Sequence, residues 1–212
     1  MLLKNNLRSE RRVLGMEHRD TLGTKSDLAT ALEKNGQLEE AEKMFRTTLK
    51  TMKRALPTND TYILATLSNC ASLLDDGFSK HAEAEAMYRE VLAIWLQMLG
   101  PEHPATLTTK GNFSRTLCRQ GKDAEALPLA RESYGGYTKV HGPEHPHTLN
   151  AASHLGYVLM KLGEYAESEA ILRETLVLQR EVLGPEHQET KVTAANLQTL
   201  IANGDAAVET MP

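Results

Sequence analysis

Five copies of one phrase, set 42 or 43 residues apart, restrict this chain to a fold built from repeating units. LGPEHPATL at 99 returns as HGPEHPHTL at 141 and LGPEHQETK at 183, with LGMEHRDTL at 14 and an eroded LPTNDTYIL at 56. Counted from Leu14, Leu56, Leu99, His141 and Leu183, the separations are 42, 43, 42 and 42 residues. A unit that recurs at such a period buries its apolar face against its neighbours, not alone.

Each unit reads as two amphipathic helices. Thirteen residues past each start stand Asp27, Asn69, Asn112, His154 and Asn196, each followed by an apolar residue: Leu28, Cys70, Phe113, Leu155 and Leu197. Four further on come Leu32, Leu74, Leu117, Leu159 and Ile201, which completes one face of a first helix. Gly36, Gly77, Gly121 and Gly163 then predict left-handed helix ends. In the second helix a small column, Ala41, Ala84, Ala126 and Ser168, precedes Phe45, Tyr88, Ala130 and Leu172 by four residues. Small residues permit close helix approach, and large ones fill the space beside it. No alternating period-two stretch competes with the helical pattern.

The repeated phrase itself lies between the second helix of one unit and the first helix of the next. Its Gly-Pro step stops the outgoing helix. Pro104 and Pro146 suit the first turn of the incoming one, and Glu102, Glu144 and Glu186 sit near its positive end. His103, His145 and His187 recur once per unit, so stacking holds them roughly 10 Å or more apart. Zinc ligands all stand about 2.0 to 2.3 Å from one ion, which excludes a shared metal. The local cluster His141, His145 and His147 is a weak candidate only, and no metal or cofactor is expected. Two glycines, Gly135 and Gly136, together with Pro128 mark the second helix of the third unit as the weak point of the stack.

Composition bounds the function. A net charge of -4 gives no reason to expect nucleic-acid binding. Cys70 and Cys118 are too few for a disulfide framework and fall within apolar patterns, so a reducing compartment is expected. The longest wholly apolar run, VLAIWL at 91 to 96, is too short to span a membrane, and MLLKNNLRSERR lacks a signal-peptide core. The expected location is the cytoplasm. The chain has no phosphate-cradling loop, no nucleophile elbow and no fixed carboxylate pair, so no catalytic residues and no enzyme activity are expected.

The frame LGPEHPxTL, Asn-Leu-Ala, Gly-Lys and Glu-Ala-Glu-x-x-Tyr-Arg-x-x-Leu resembles the 42-residue tetratricopeptide repeats of kinesin light chains and their relatives. GQLEEAEKMFRTTL at 36, AEAMYREVL at 84 and GEYAESEAILRETL at 163 match best, and Pro128 in EALPLARES is similar to a proline those proteins often carry. The resemblance covers residues 14 to about 204. It implies an all-α fold, a right-handed α-solenoid of antiparallel helix pairs. The expected organisation is a trailing second helix at 1–13, repeats at 14–55, 56–98, 99–140 and 141–182, a capping half repeat at 183–204, and a tail at 205–212. Kinesin light chains carry a long coiled coil ahead of their repeats, whereas 13 residues precede Leu14 here, so docking on a kinesin heavy chain is not expected. A stand-alone repeat protein and a piece of a longer array both remain open.

The first helices of such a stack line its concave side, a surface suited to an extended or helical peptide. The resemblance assigns a peptide groove to the Asn column: Asn69, Asn112 and Asn196, with Asp27 and His154 in its other places. An amide there can both donate to and accept from a bound backbone. On the same face lie Thr108, Arg115 and Arg119 in the third repeat and Asn150, Tyr157 and Lys161 in the fourth, with Glu33, Asp75 and Asp76 in the first two. The charges predict a groove that turns from acidic to basic along the chain, although any one of them can also belong to a solvated face. The expected function is a non-enzymatic scaffold or adaptor that binds an acidic peptide. The alternatives are a regulatory array from a larger signalling ATPase and a purely structural oligomerisation role.

Overall fold

The computed structural model describes the backbone of residues 2–209 and the side chains of residues 3–202. Ten helices occupy the described residues: α1 Leu2–Val13, α2 Arg19–Lys34, α3 Leu38–Ala55, α4 Thr61–Phe78, α5 His81–Leu99, α6 Pro104–Arg119, α7 Asp123–His141, α8 Pro146–Lys161, α9 Tyr165–Val182 and α10 Gln188–Glu209. They follow one another as antiparallel pairs, an all-α architecture. Two compact units divide the chain after Ile94, within α5. Among the described residues no helix is long and apolar enough to cross a membrane.

The repeated phrase does more than interrupt the helices. His18, His103 and His145 each stand just before a first helix in extended backbone. Their Nδ1 atoms accept the N–H groups of Asp20, Ala105 and His147 at 3.3, 3.1 and 3.2 Å. His187 does the same for Glu189 at 3.3 Å, and in the eroded unit Asp60 takes the place, accepting from Tyr62 at 2.8 Å. The recurring histidine is therefore an N-cap, a role for which only an unprotonated Nδ1 serves. Pro104 and Pro146 follow in the first turn, where the missing N–H removes no intrahelical bond.

The helix ends depart from expectation once. Gly36, Gly121 and Gly163 have positive φ, but Gly77 is helical and Ser79 takes the left-handed turn at φ 53°. The second repeat is one residue longer, and its glycine stands one position early in the frame, so α4 runs through it. A Cβ at Gly77 would come within 3.3 Å of Leu38 and Leu73.

In the first unit α2 packs on α1 and α3, and α3 on α4. Phe45, Met52, Leu64 and Leu67 are buried there, with Ala41 and Ala84 supplying the small column. In the second unit α6 packs on α7, α7 on α8, α8 on α9 and α9 on α10. Small hydroxyls satisfy backbone at these crossings: Ser114 Oγ donates to the Ala126 carbonyl at 2.9 Å and Ser168 Oγ to Gly156 at 2.7 Å. Gly136 is a contact point as well, because Leu107 fills the space a Cβ would need, while Gly135 faces open space.

The α10 helix continues without a break to Glu209, past the expected boundary at 204, and residues 210–212 lie outside the described residues. Its buried face also differs from expectation. Leu197 and Leu200 pack with Met160, Leu172 and Leu176, whereas Ile201 is 41% exposed. The face of α10 turned toward α8 and α9 is the one that buries.

Candidate functional site

Two adjoining clefts open in the second unit over the first helices α6, α8 and α10. The larger, about 400 Å³, has Arg115, Arg119, His154, Tyr157, Val192 and Asn196 in its wall. The smaller, about 240 Å³, is polar, with Thr108, Asn112, Ser133, Tyr137 and His147 around it. Arg115, Asn150, His154 and Glu189 border both.

A hydrogen-bonded chain crosses this shared border. Arg115 donates from Nη1 to Asn112 Oδ1 at 3.3 Å and from Nη2 to Asn150 Oδ1. Asn150 Nδ2 in turn donates to Glu189 Oε1 at 2.6 Å. Three helices are thereby tied at one level. The Asn150 amide keeps one further donor and one further acceptor position, so it can still hold a ligand's backbone.

His154 lies beneath the border. It is buried, with Nε2 2.9 Å from Ser114 Oγ, and its ring stacks on Tyr157 with centroids 6.5 Å apart. Burial first, and then the charges of Arg115 and Arg119, push its pKa down to about 3, so the ring is neutral at pH 7. The positive charge of the larger cleft is thus carried by arginine. Burial and then the neighbouring Asp123 push the thiol of Cys118, on the wall, up to about 12, so it stays protonated near neutral pH.

Of the residues that the sequence singled out, the structure brings Arg115, Arg119, Asn150, His154, Tyr157 and Asn196 to the larger cleft and Asn112 to the smaller. Lys161 stands exposed in the last turn of α8 and lines neither, although its charge reaches Cys118. Asn69 belongs to the first unit, where its Nδ2 donates to Thr30 Oγ1 at 3.4 Å and joins α4 to α2. Asp75, expected on the acidic stretch of the groove, is 5% exposed and pairs with His81 Nδ1 at 2.6 Å. Its place near the end of α4 turns it inward. Glu33 is held above the usual carboxylate range by partial burial and then by Asp76.

Sequence reasoning missed Glu189, Gln188, Val192 and Ser153. Glu189 showed there only as one acidic residue in a first turn, where the preceding units have Ala105 and His147. The rings of His141 and His145 stack at 4.3 Å, those of His145 and His147 lie tilted at 5.2 Å, and Tyr137 stacks on His141 and His147. Among the described residues no group of three or more His, Cys, Asp or Glu side chains could hold a metal ion.

Family models described as tetratricopeptide repeat match residues 20–97, 77–139 and 148–189. No curated protein matches the chain. Among solved structures, a variant of a putative kinesin light chain from Podospora anserina with nearly identical TPR-like repeats superposes with a TM-score of 0.71 at 24% identity, over 85% of this chain and 84% of that one. The unsubstituted form gives 0.69 at 24% identity, over 85% of each chain. BtubC (BKLC) from P. vanneervenii gives 0.73 at 19% identity, over 97% of this chain and 85% of that one.

Proposed function

The chain belongs to the tetratricopeptide repeat family, whose arrays typically serve as protein-interaction modules, and we propose that its second unit binds an acidic peptide segment of a partner protein. The observation that carries this reading is the placement of Arg115 and Arg119 together on the wall of one cleft, beside a histidine held neutral. The arginines stand four apart on α6 and so share a face. A concave, partly desolvated wall strengthens their attraction for an anion relative to a flat surface. Asn112, Asn150 and Asn196 along the same path supply amides for the bound backbone, which charge alone cannot align. Repeats of this family are usually non-catalytic, and the cleft fits that use: His154 has no acid–base range near neutral pH and Cys118 no thiolate.

Replacing both Arg115 and Arg119 by Glu should weaken an acidic peptide by roughly 1 to 3 kcal/mol, the worth of charge-assisted, partly buried contacts. Raising salt should weaken binding to the unaltered protein through screening. Fluorescence anisotropy with labelled acidic and basic peptides measures both effects. Equal affinity for the two peptides, or no effect of the reversal, would remove the acidic ligand.

A further inference from the structure

Glu189 gives the site a second pole that the arginines do not explain. A guanidinium on α6 and a carboxylate on α10 face one another across the single primary amide of Asn150 on α8. That amide cannot turn over without breaking both bonds, since its oxygen cannot donate and its nitrogen cannot accept. The bar across the two clefts therefore has a fixed direction, positive at α6 and negative at α10, and both of its ends border both clefts.

We infer that this bar reads an ordered pair of opposite charges in the partner: an acidic side chain held over Arg115 and Arg119, and a basic one, two positions along an extended segment, held over Glu189. The inference rests on the reading of the cleft as a site for an acidic segment and deepens it. In an extended chain, side chains two residues apart point to one face and lie about 7 Å apart. That spacing suits two charges placed on either side of one amide with a hydrogen bond at each end. Transposing the pair sets each charge against its like, a penalty that rejects the wrong partner more than it rewards the right one. A run of acidic residues is disfavoured for the same reason, because its second carboxylate falls on Glu189. The partner's acidic segment thus carries a basic residue at one defined place, where an unbroken run of acids would put a carboxylate on Glu189.

The test uses three labelled peptides with common flanks, carrying Glu-x-Lys, Lys-x-Glu or Glu-x-Gln, titrated against the full chain by anisotropy at low salt. One of the two mixed orders should bind at least fivefold more tightly than the other and more tightly than Glu-x-Gln; which one wins assigns the direction of the bound chain. In Glu189→Gln, whose side chain still accepts from Asn150, the gap between the orders should close to within twofold. Equal binding of both orders while Glu-x-Gln also binds, or a gap that survives Glu189→Gln in a variant with unchanged circular dichroism and melting, overturns the inference and leaves the acidic-segment reading in place. If none of the three binds, that reading falls and this one with it.

Discussion

At the scale of single residues, His154 shows how one column of a repeat can serve structure in one unit and a site in another. Asn69 bridges two helices of the first unit, while His154 packs under the second unit's clefts against Ser114. Because its folded pKa lies near 3, against an ordinary value near 6.5, the unfolded chain takes up a proton that the folded chain refuses. Stability is therefore unaffected by this group above about pH 6.5 and falls as pH drops below it, by up to about 1.4 kcal/mol per pH unit, until the folded pKa is reached. His145 acts in the same direction: desolvation and then repulsion from His141 and His147 lower its pKa, and protonation would take away the acceptor that caps α8. His154→Asn, the residue its column carries at 69, 112 and 196, should flatten the profile of stability between pH 6.5 and 4, measured by urea unfolding at several pH values. An unchanged slope would show that another group carries the acid sensitivity.

At the scale of elements, α7 contains Pro128, Gly135 and Gly136 and still runs unbroken from Asp123 to His141. The two glycines have opposite meanings. Gly135 meets nothing within 4 Å, so Gly135→Ala should stabilise the helix by about 0.5 to 1 kcal/mol through its higher helix propensity. Gly136 lets α6 approach α7 with Leu107 in the place of a side chain, so Gly136→Ala should cost roughly 1 to 3 kcal/mol by overpacking. Thermal or urea unfolding of the two variants tests both signs. Two stabilising substitutions would mean that the close approach is not needed.

At the scale of the whole molecule, α10 both covers a core and supplies Glu189 to the site. Leu197 and Leu200 bury against Met160, Leu172 and Leu176, each contributing on the order of 1.5 to 3 kcal/mol. A chain ending at Val182 would expose those three partners, and an uncovered apolar face of a helical repeat favours association. It should melt at lower temperature and self-associate in light scattering. Within the intact chain, Leu200→Ala should cost about 2 to 5 kcal/mol and Ile201→Ala less than about 0.5 kcal/mol. Equal effects at these neighbouring positions would return Ile201 to the buried face.

The period of 42 residues, the spacing of apolar side chains and the Gly-Pro steps were enough to read an all-helical repeat fold, because each is a local property that every unit states again. The same spacing places Arg115, Arg119, Asn150, His154 and Tyr157 on first helices. What it could not give was distance between helices. That Asp75 turns inward to His81, that Ile201 stays exposed while Leu200 buries, and that Lys161 lines neither cleft depend on which neighbour packs against each face. Glu189 is the clearest case. It is 74 residues from Arg115 in the chain and shows in its own repeat only as an acidic residue of a first turn. Only the packing of α8 and α10 sets one amide between them and turns two separate charges into one oriented bar.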